Sequence, residues 1–142
     1  MNEKVLIEKA LSMLKYSYAP YSRYHVGAAL LTADGKIFTG CNIENAAFGP
    51  SNCAERTAFF KAISEGEKNF EAIAIAGGPD GKTESFCAPC GVCRQVMAEF
   101  CKKDFKIIMA KNPSEYKIKT LEELLPESFN PQDEIGANQG QP

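Results

Sequence analysis

The 142-residue sequence predicts a single α/β domain, with helices on the faces of a β-sheet. Hydrophobic residues make up 44% of the chain and charged residues 24%, a balance typical of globular proteins rather than disordered ones. Beyond residue 36, apolar patterns of strand length alternate with patterns of helix length. Such alternation is typical of strands that are connected by helices packed against the sheet.

The first third of the chain is predicted to form a helix and a β-hairpin. Asn2 is a suitable N-cap for the helix, which carries apolar residues at helical spacing. Short apolar runs at 26–31 and 36–41 flank the pair Asp34-Gly35. This pair favours a two-residue turn in which both positions have positive φ, so we expect an antiparallel hairpin. A polar loop over 42–52 is expected to follow it.

The rest of the chain is predicted to alternate helices and strands. A helix is expected over 53–65, ended by a C-cap at Gly66, and Pro89 suits the first turn of a second helix. We expect one domain over residues 1–130 and a loose, polar tail over 131–142. Strands are expected at 70–76, 105–110 and 116–118.

Charge and hydropathy exclude several classes of partner. The net charge is −2, whereas a protein that coats DNA or RNA is usually basic, so we expect no nucleic-acid partner. No apolar run approaches the roughly 18 residues of a membrane helix, and the N-terminus lacks the apolar core of a signal peptide. We therefore expect a cytoplasmic protein without a membrane partner. Its six cysteines are then expected to be thiols or metal ligands rather than disulfides.

Three of these cysteines stand at the starts of the two predicted helices. Cys90 and Cys93 form a C-x-x-C pair, whose sulfurs can reach one ion, and Cys53 begins the other helix. Helix N-termini also stabilise thiolates. Glu55 lies two residues beyond Cys53, where a carboxylate can exchange protons with a water on a catalytic zinc. The pattern therefore indicates a zinc site with an adjacent proton carrier.

Two other interpretations of these residues remain open from the pattern alone. Asn52-x-x-Glu55 is close to a capping box, in which the carboxylate only binds the helix backbone. Cys87 extends the pair to C-x-x-C-x-x-C, which overlaps an iron–sulfur motif, and Cys53 is then available as the fourth ligand of a cluster or closed zinc site. His25, the single histidine, is expected to pack or to form hydrogen bonds.

Taken together, the motifs resemble the zinc signature of the nucleoside deaminases. The signature is carried by Cys53-Ala54-Glu55 and by Pro89-Cys90-Gly91-Val92-Cys93-Arg94-Gln95. The segments 21–29 and 42–46 narrow the resemblance to the small, homotetrameric cytidine deaminases with three cysteine ligands. The resemblance implies a three-layer α/β/α fold around a mixed sheet of about five strands. It also implies zinc-dependent hydrolysis of cytidine and 2′-deoxycytidine to uridine and 2′-deoxyuridine in pyrimidine salvage, with active sites shared between subunits.

The resemblance assigns roles at the metal. It implies that Cys53, Cys90 and Cys93 hold one Zn²⁺ per chain and that Glu55 moves protons. Three thiolates on Zn²⁺ leave a net charge of −1, which would weaken the ability of the zinc to lower the pKa of its bound water. The resemblance implies that Arg56 offsets this charge through hydrogen bonds to the sulfurs.

The resemblance assigns further roles in substrate binding. Asn42 and Glu44 would hold the ribose near its 3′-hydroxyl, and the Ala54 N–H would bind the pyrimidine carbonyl. An amide and a carboxylate one residue apart on an extended strand do point to the same side. Tyr24 stands where the family commonly has Phe against the base. Phe129 matches an aromatic residue that reaches a neighbouring subunit's site.

The sequence departs from the family pattern at three positions. His25 replaces a frequent Pro, Ala88 replaces a frequent Ser, and Cys87 is an additional thiol. None of these changes removes a ligand or the carboxylate. Two alternatives to a cytidine deaminase are a related deaminase that acts on a nucleoside-like antibiotic and a non-enzymatic metal or iron–sulfur module.

Overall fold

A five-stranded sheet runs through the centre of the protein in a computed structural model, which describes residues 1–135. The strands follow the order β2-β1-β3-β4-β5, with β3 and β4 parallel and the other neighbours antiparallel. This mixed sheet confirms the predicted α/β class. The strands are β1 (Tyr24–Thr32), β2 (Ile37–Cys41), β3 (Phe70–Pro79), β4 (Lys106–Asn112) and β5 (Glu115–Thr120).

Helices cover both faces of the sheet and produce the three layers that the resemblance implies. The first helix packs on one face, where it buries Leu6 and Ile7 against Ala29 of β1. The second and third helices pack on the other face around Phe59 and Met97. No helix within residues 1–135 is long and apolar enough to cross a membrane. The helices are α1 (Glu3–Ser12), α2 (Ala54–Ser64), α3 (Gly91–Phe100), α4 (Leu121–Leu124) and α5 (Pro131–Ile135), with a 3₁₀ turn at Leu14–Tyr16.

The predicted N-cap and hairpin are both present, but the hairpin turn differs from the prediction. Asn2 Oδ1 accepts a hydrogen bond from the Val5 N–H at 3.2 Å. In the turn, only Gly35 has positive φ (93°), so the expectation of two such residues is wrong. The reason is that the Gly35 N–H bonds the Thr32 carbonyl at 3.1 Å, while the Thr32 hydroxyl accepts from the Lys36 N–H at 2.9 Å. The Thr32 side chain thus stabilises a longer turn.

The starts of α2 and α3 are both capped by a cysteine, which fixes where the site residues lie. Cys53 is the N-cap of α2, and Cys90 is the N-cap of α3. Pro89 therefore precedes the helix instead of lying in its first turn, because the Cys90 sulfur accepts from the Cys93 N–H at 3.4 Å. Gly66 ends the α2 region with φ 93°, as predicted.

The segment predicted as a loose tail begins with a short helix. Asn130 Oδ1 accepts from the Asp133 N–H at 2.8 Å, and Asp133 forms an ion pair with Lys103 at 3.1 Å. These contacts attach Pro131–Ile135 to the domain. Residues 136–142 lie outside the described part of the chain.

Candidate metal centre and active site

The sulfur atoms of Cys53, Cys90 and Cys93 meet where the N-termini of α2 and α3 converge. The Cys53 and Cys90 sulfurs are 3.6 Å apart, and those of Cys90 and Cys93 are 3.4 Å apart. All three lie within 4.8 Å of one another. The structure therefore brings together the three cysteines that the sequence motif singles out.

The spacing of these sulfurs fits one zinc ion. A Zn–S bond of about 2.3 Å in a tetrahedron places ligand sulfurs about 3.8 Å apart, close to the observed distances. Among residues 1–135, the ligand group contains only Cys53, Cys90 and Cys93. Cys87 lines the adjacent cavity but is not a member of this group. Three protein ligands with a fourth position open to water are typical of a catalytic zinc site, not a closed structural one.

The surroundings of the Cys53 sulfur favour the thiolate form that binds metal. A hydrogen bond from the Cys93 thiol lowers the pKa of Cys53 to about 5, and the Arg56 guanidinium contributes to this shift. The same hydrogen bond raises the pKa of the Cys93 thiol. Arg56 Nη2 donates to the Cys53 sulfur at 3.3 Å. Because metal binding displaces thiol protons, a thiolate at Cys53 prepares the site for a cation.

The carboxyl group of Glu55 is buried beside this cluster and lines the cavity in front of it. Burial raises the pKa of Glu55 to about 7, which suits a group that both takes and gives protons at neutral pH. The capping-box interpretation is wrong, since Cys53 is the N-cap and the Asn52 N–H donates to the Ile43 carbonyl at 2.9 Å. Glu55 also lies outside the sulfur ligand group and is available for proton transfer.

A cavity of about 610 Å³ opens in front of Glu55 and the cysteines. The residues expected to contact substrate, apart from Phe129, lie on its wall. Phe129 is 70% exposed and does not line this chain's own cavity. The lining residues are Ser22, Tyr24, Val26, Asn42, Glu44, Phe48, Ser51, Asn52, Cys53, Ala54, Glu55, Arg56, Cys87, Ala88 and Cys90.

Glu44 is held in place by the loop that precedes β1. Its Oε1 accepts from the backbone N–H groups of Tyr21 at 3.0 Å and Ser22 at 3.1 Å, and its Oε2 accepts from the Ser22 hydroxyl. These hydrogen bonds lower the pKa of Glu44, with the Ser22 hydroxyl as the main cause. Glu44 therefore presents an ionised, oriented carboxylate to the cavity.

Two residues near the site were not singled out by the sequence patterns. Phe48 lies in the polar loop, is 89% exposed and lines the cavity; an aromatic residue within a polar loop is the signal that points to it. Arg94 donates from Nε to the Pro89 carbonyl at 2.8 Å and from Nη1 to the Leu124 carbonyl at 2.7 Å. The position of Arg94 directly after Cys93 is the feature of the sequence that points to it. Arg94 fixes the loop that carries Cys90.

Comparison with known proteins shows to which family this chain belongs. Residues 1–109 match the model of the cytidine and deoxycytidylate deaminase zinc-binding region. The chain belongs to this deaminase family. A cytidine deaminase of Halalkalibacterium halodurans is 46% identical over 94% of this chain and 98% of the relative, and that of Sporosarcina psychrophila is 43% identical over 94% and 95%. The crystal structure of a cytidine deaminase from Burkholderia pseudomallei is 44% identical, with a TM-score of 0.82, and covers 91% of this chain and all of that one.

Membership in the deaminase family confirms the resemblance found in the sequence motifs. It also explains the metal chemistry, because the matched region is a zinc-binding one and contains Cys53, Cys90 and Cys93. The alternative of an iron–sulfur module receives no support from the sulfur geometry, since Cys87 stands apart from the ligand group. The three-cysteine cluster is positioned to bind zinc.

Proposed function

We propose that this deaminase hydrolyses cytidine and 2′-deoxycytidine to uridine and 2′-deoxyuridine, with release of ammonia. The observation that carries the proposal is the burial of Glu55 in the cavity beside the three-sulfur cluster. A proton carrier and a metal-ligand set at one cavity are what hydrolysis of an amidine carbon–nitrogen bond needs. The similarity to cytidine deaminases over more than nine-tenths of the chain supports the same substrate class.

The proposed chemistry divides between the metal and the carboxylate. Cys53, Cys90 and Cys93 would hold the Zn²⁺, which would supply a Lewis acid that lowers the pKa of a bound water towards about 7. Glu55 takes a proton from the attacking water and gives it to ring N3. It then takes the proton of the new C4 hydroxyl and delivers it to the departing amine, so that the C4 carbonyl and ammonia form. One water is consumed, the C4–N bond breaks and a C4–O bond forms. A carboxyl pKa near neutrality allows Glu55 to serve in both directions.

The proposed binding mode uses residues of three elements. Ala54 lies in the first turn of α2, where backbone N–H groups lack helical partners and can donate to the pyrimidine carbonyl. Tyr24 of β1 packs on the base. Asn42 and Glu44 bind the ribose hydroxyls, as donor and acceptor respectively. An antibiotic of different sugar structure would not need this last pair.

The test is a cytidine assay on the purified zinc protein. Cytidine absorbance should fall as uridine appears, and a zinc chelator should abolish the reaction. Glu55→Gln keeps the size of the side chain but removes the proton acceptor, so we expect a loss of at least about 10³-fold with one zinc retained. Full activity of Glu55→Gln would refute the proposal.

We further propose a homotetramer in which Phe129 completes the active site of a neighbouring subunit. Phe48 and Phe129 support this, since they are 89% and 70% exposed and large exposed aromatics mark interaction surfaces. Light scattering should give a mass of four chains. Mixed tetramers of Glu55→Gln and Phe129→Ala chains should recover part of the activity that each variant lacks alone, whereas unshared sites would recover none.

The remaining proposals concern domain extent and location. Residues 1–130 contain the sheet and the cavity, and we assign the catalytic domain to them. None of the six cysteines, all of which lie within residues 1–135, forms a disulfide, and this supports residence in the reducing cytoplasm. Labelling with a membrane-impermeant thiol reagent in intact cells should then leave the protein unmodified.

A further inference from the structure

A chain of hydrogen bonds runs from His25 to the cavity wall. His25 Nδ1 lies 2.9 Å from the Ser17 hydroxyl oxygen, and the Ser17 hydroxyl donates to Asn42 Oδ1. Asn42 in turn donates from Nδ2 to the Tyr24 carbonyl at 2.7 Å and lines the cavity. The bonds from His25 to Ser17 and from Ser17 to Asn42 are partly buried, whereas the bond from Asn42 to the Tyr24 carbonyl is exposed.

The direction of every bond in this chain is determined. The Val26 N–H can only donate, and it lies 2.9 Å from the Asn42 side-chain oxygen, so this oxygen must face it. Ser17 has a single hydroxyl proton, which goes to the same Asn42 oxygen. The Ser17 oxygen therefore accepts from His25, which must carry a proton on Nδ1.

The consequence for Asn42 is a fixed amide. Its oxygen receives two donors, and one of its two N–H bonds goes to the Tyr24 carbonyl. The second N–H is the remaining group with which Asn42 can bind a substrate in the cavity, as a donor. This donor complements the neighbouring Glu44 carboxylate, which can only accept when ionised.

His25 itself does not touch the cavity. Tyr24 and Val26 line it, and His25 stands between them on β1, so its side chain points to the opposite face of the sheet. The hydrogen-bonded route from His25 to the cavity runs through Ser17 and Asn42.

We propose that His25 and Ser17 are positioning residues that hold the Asn42 amide in the orientation needed to bind the ribose. The inference rests on the proposed nucleoside deaminase activity. A merely structural role for the same residues would act differently, because the Tyr18 backbone also holds the extended segment 42–44: its N–H donates to the Asn42 carbonyl at 3.0 Å, and its carbonyl accepts from the Glu44 N–H at 2.8 Å. Distortion of that segment would lower activity on all substrates, whereas a loosened amide would affect only those with 2′- and 3′-hydroxyls.

The test compares three variants on two substrates with the zinc-loaded enzyme. Ser17→Ala and His25→Phe interrupt the chain, while His25→Asn retains an N–H donor near the position of Nδ1. Cytidine carries the 2′- and 3′-hydroxyls of the ribose, which 2′,3′-dideoxycytidine lacks. For cytidine, we expect Ser17→Ala and His25→Phe to raise KM about 3- to 10-fold with kcat within about twofold of wild type.

The controls separate positioning from folding. The kcat/KM for 2′,3′-dideoxycytidine should stay unchanged in all variants, His25→Asn should behave as wild type on cytidine, and the double variant should be no worse than either single one. An equal loss of kcat/KM on both substrates, or an unchanged kcat/KM for cytidine, would overturn the inference. A wild-type enzyme that leaves cytidine intact would instead refute the proposed function on which the inference rests.

Discussion

The Arg56 guanidinium donates a hydrogen bond from Nη2 to the Cys53 sulfur at 3.3 Å. Its Nε is buried and has no hydrogen-bond partner within residues 1–135. The guanidinium thus lies beside the ligand set. Its three thiolates would carry one more negative charge than Zn²⁺ carries positive charge. Because excess negative charge would make the ion a weaker Lewis acid, we expect Arg56 to restore part of its ability to lower the pKa of bound water.

Removal of the Arg56 charge should therefore slow the reaction without emptying the site. We expect Arg56→Gln to lower kcat by about 10- to 100-fold, since loss of an outer hydrogen bond to a metal ligand has effects of this size. Arg56→Lys keeps the charge but loses the planar guanidinium, so its kcat should lie between those of wild type and Arg56→Gln. Zinc content and kcat are measured on the same preparations. A Gln variant with one zinc and wild-type kcat would contradict this role.

Cys87 is expected to be dispensable for metal binding. It is buried in the cavity wall outside the ligand group, and burial raises the pKa of its thiol to about 11, so it is a neutral thiol at pH 7. Cys87→Ser and Cys87→Ala should each retain one colourless zinc per chain and activity within about threefold of wild type. Cys90→Ser is the matched control and should lose zinc. Loss of metal in the Cys87 variants would identify Cys87 as a fourth ligand.

Each half of the metal centre could be predicted from the sequence because its determinants are local, whereas the meeting of Cys53 with Cys90, 37 residues away, followed only from the family resemblance. Cys90 and Cys93 are separated by one helical turn, and Cys53 and Glu55 share the start of another helix. The pairing of Asn42 with Glu44 likewise follows from the alternation of an extended strand. In each case a short spacing decides the geometry, and the structure leaves the spacing unchanged.

Features that depend on contacts between distant segments could not be predicted. The hydrogen bond from Ser17 to Asn42 joins residues that are 25 positions apart. It exists only because the segment before β1 packs along the extended segment 42–44. The sequence indicated only that His25 packs or forms hydrogen bonds, which its contact with Ser17 confirms without revealing the link to the cavity. The position of Pro89 was predicted wrongly for a different, local reason: the Cys90 sulfur takes a capping role that is usually filled by oxygen.

Nucleoside monophosphates should be poor substrates. Of the residues that line the cavity within 1–135, Arg56 is the only cation, and it already bonds the Cys53 sulfur. Glu44 and Glu55 line the same cavity, so a 5′-phosphate would meet carboxylates without a compensating charge. We expect kcat/KM for CMP and dCMP to be at least about 100-fold below that for cytidine and deoxycytidine. Comparable turnover of the phosphorylated substrates would show that a cation from elsewhere completes the site.

Gly40 allows α2 to approach β2 closely enough to place Glu55 at the cavity. A Cβ at Gly40 would lie 2.5 Å from the Ala54 carbonyl oxygen and 2.7 Å from the Ala58 backbone nitrogen, so Gly40→Ala must push α2 away from the sheet. We expect it to destabilise the protein by about 1–3 kcal/mol. It should also lower kcat, because Cys53, Ala54 and Glu55 move with the helix. Gly91→Ala is the matched control: its Cβ meets no atom within 4 Å, so thermal stability and kcat should remain as in wild type. Equal melting temperatures and kcat values for the two variants would refute this role of Gly40.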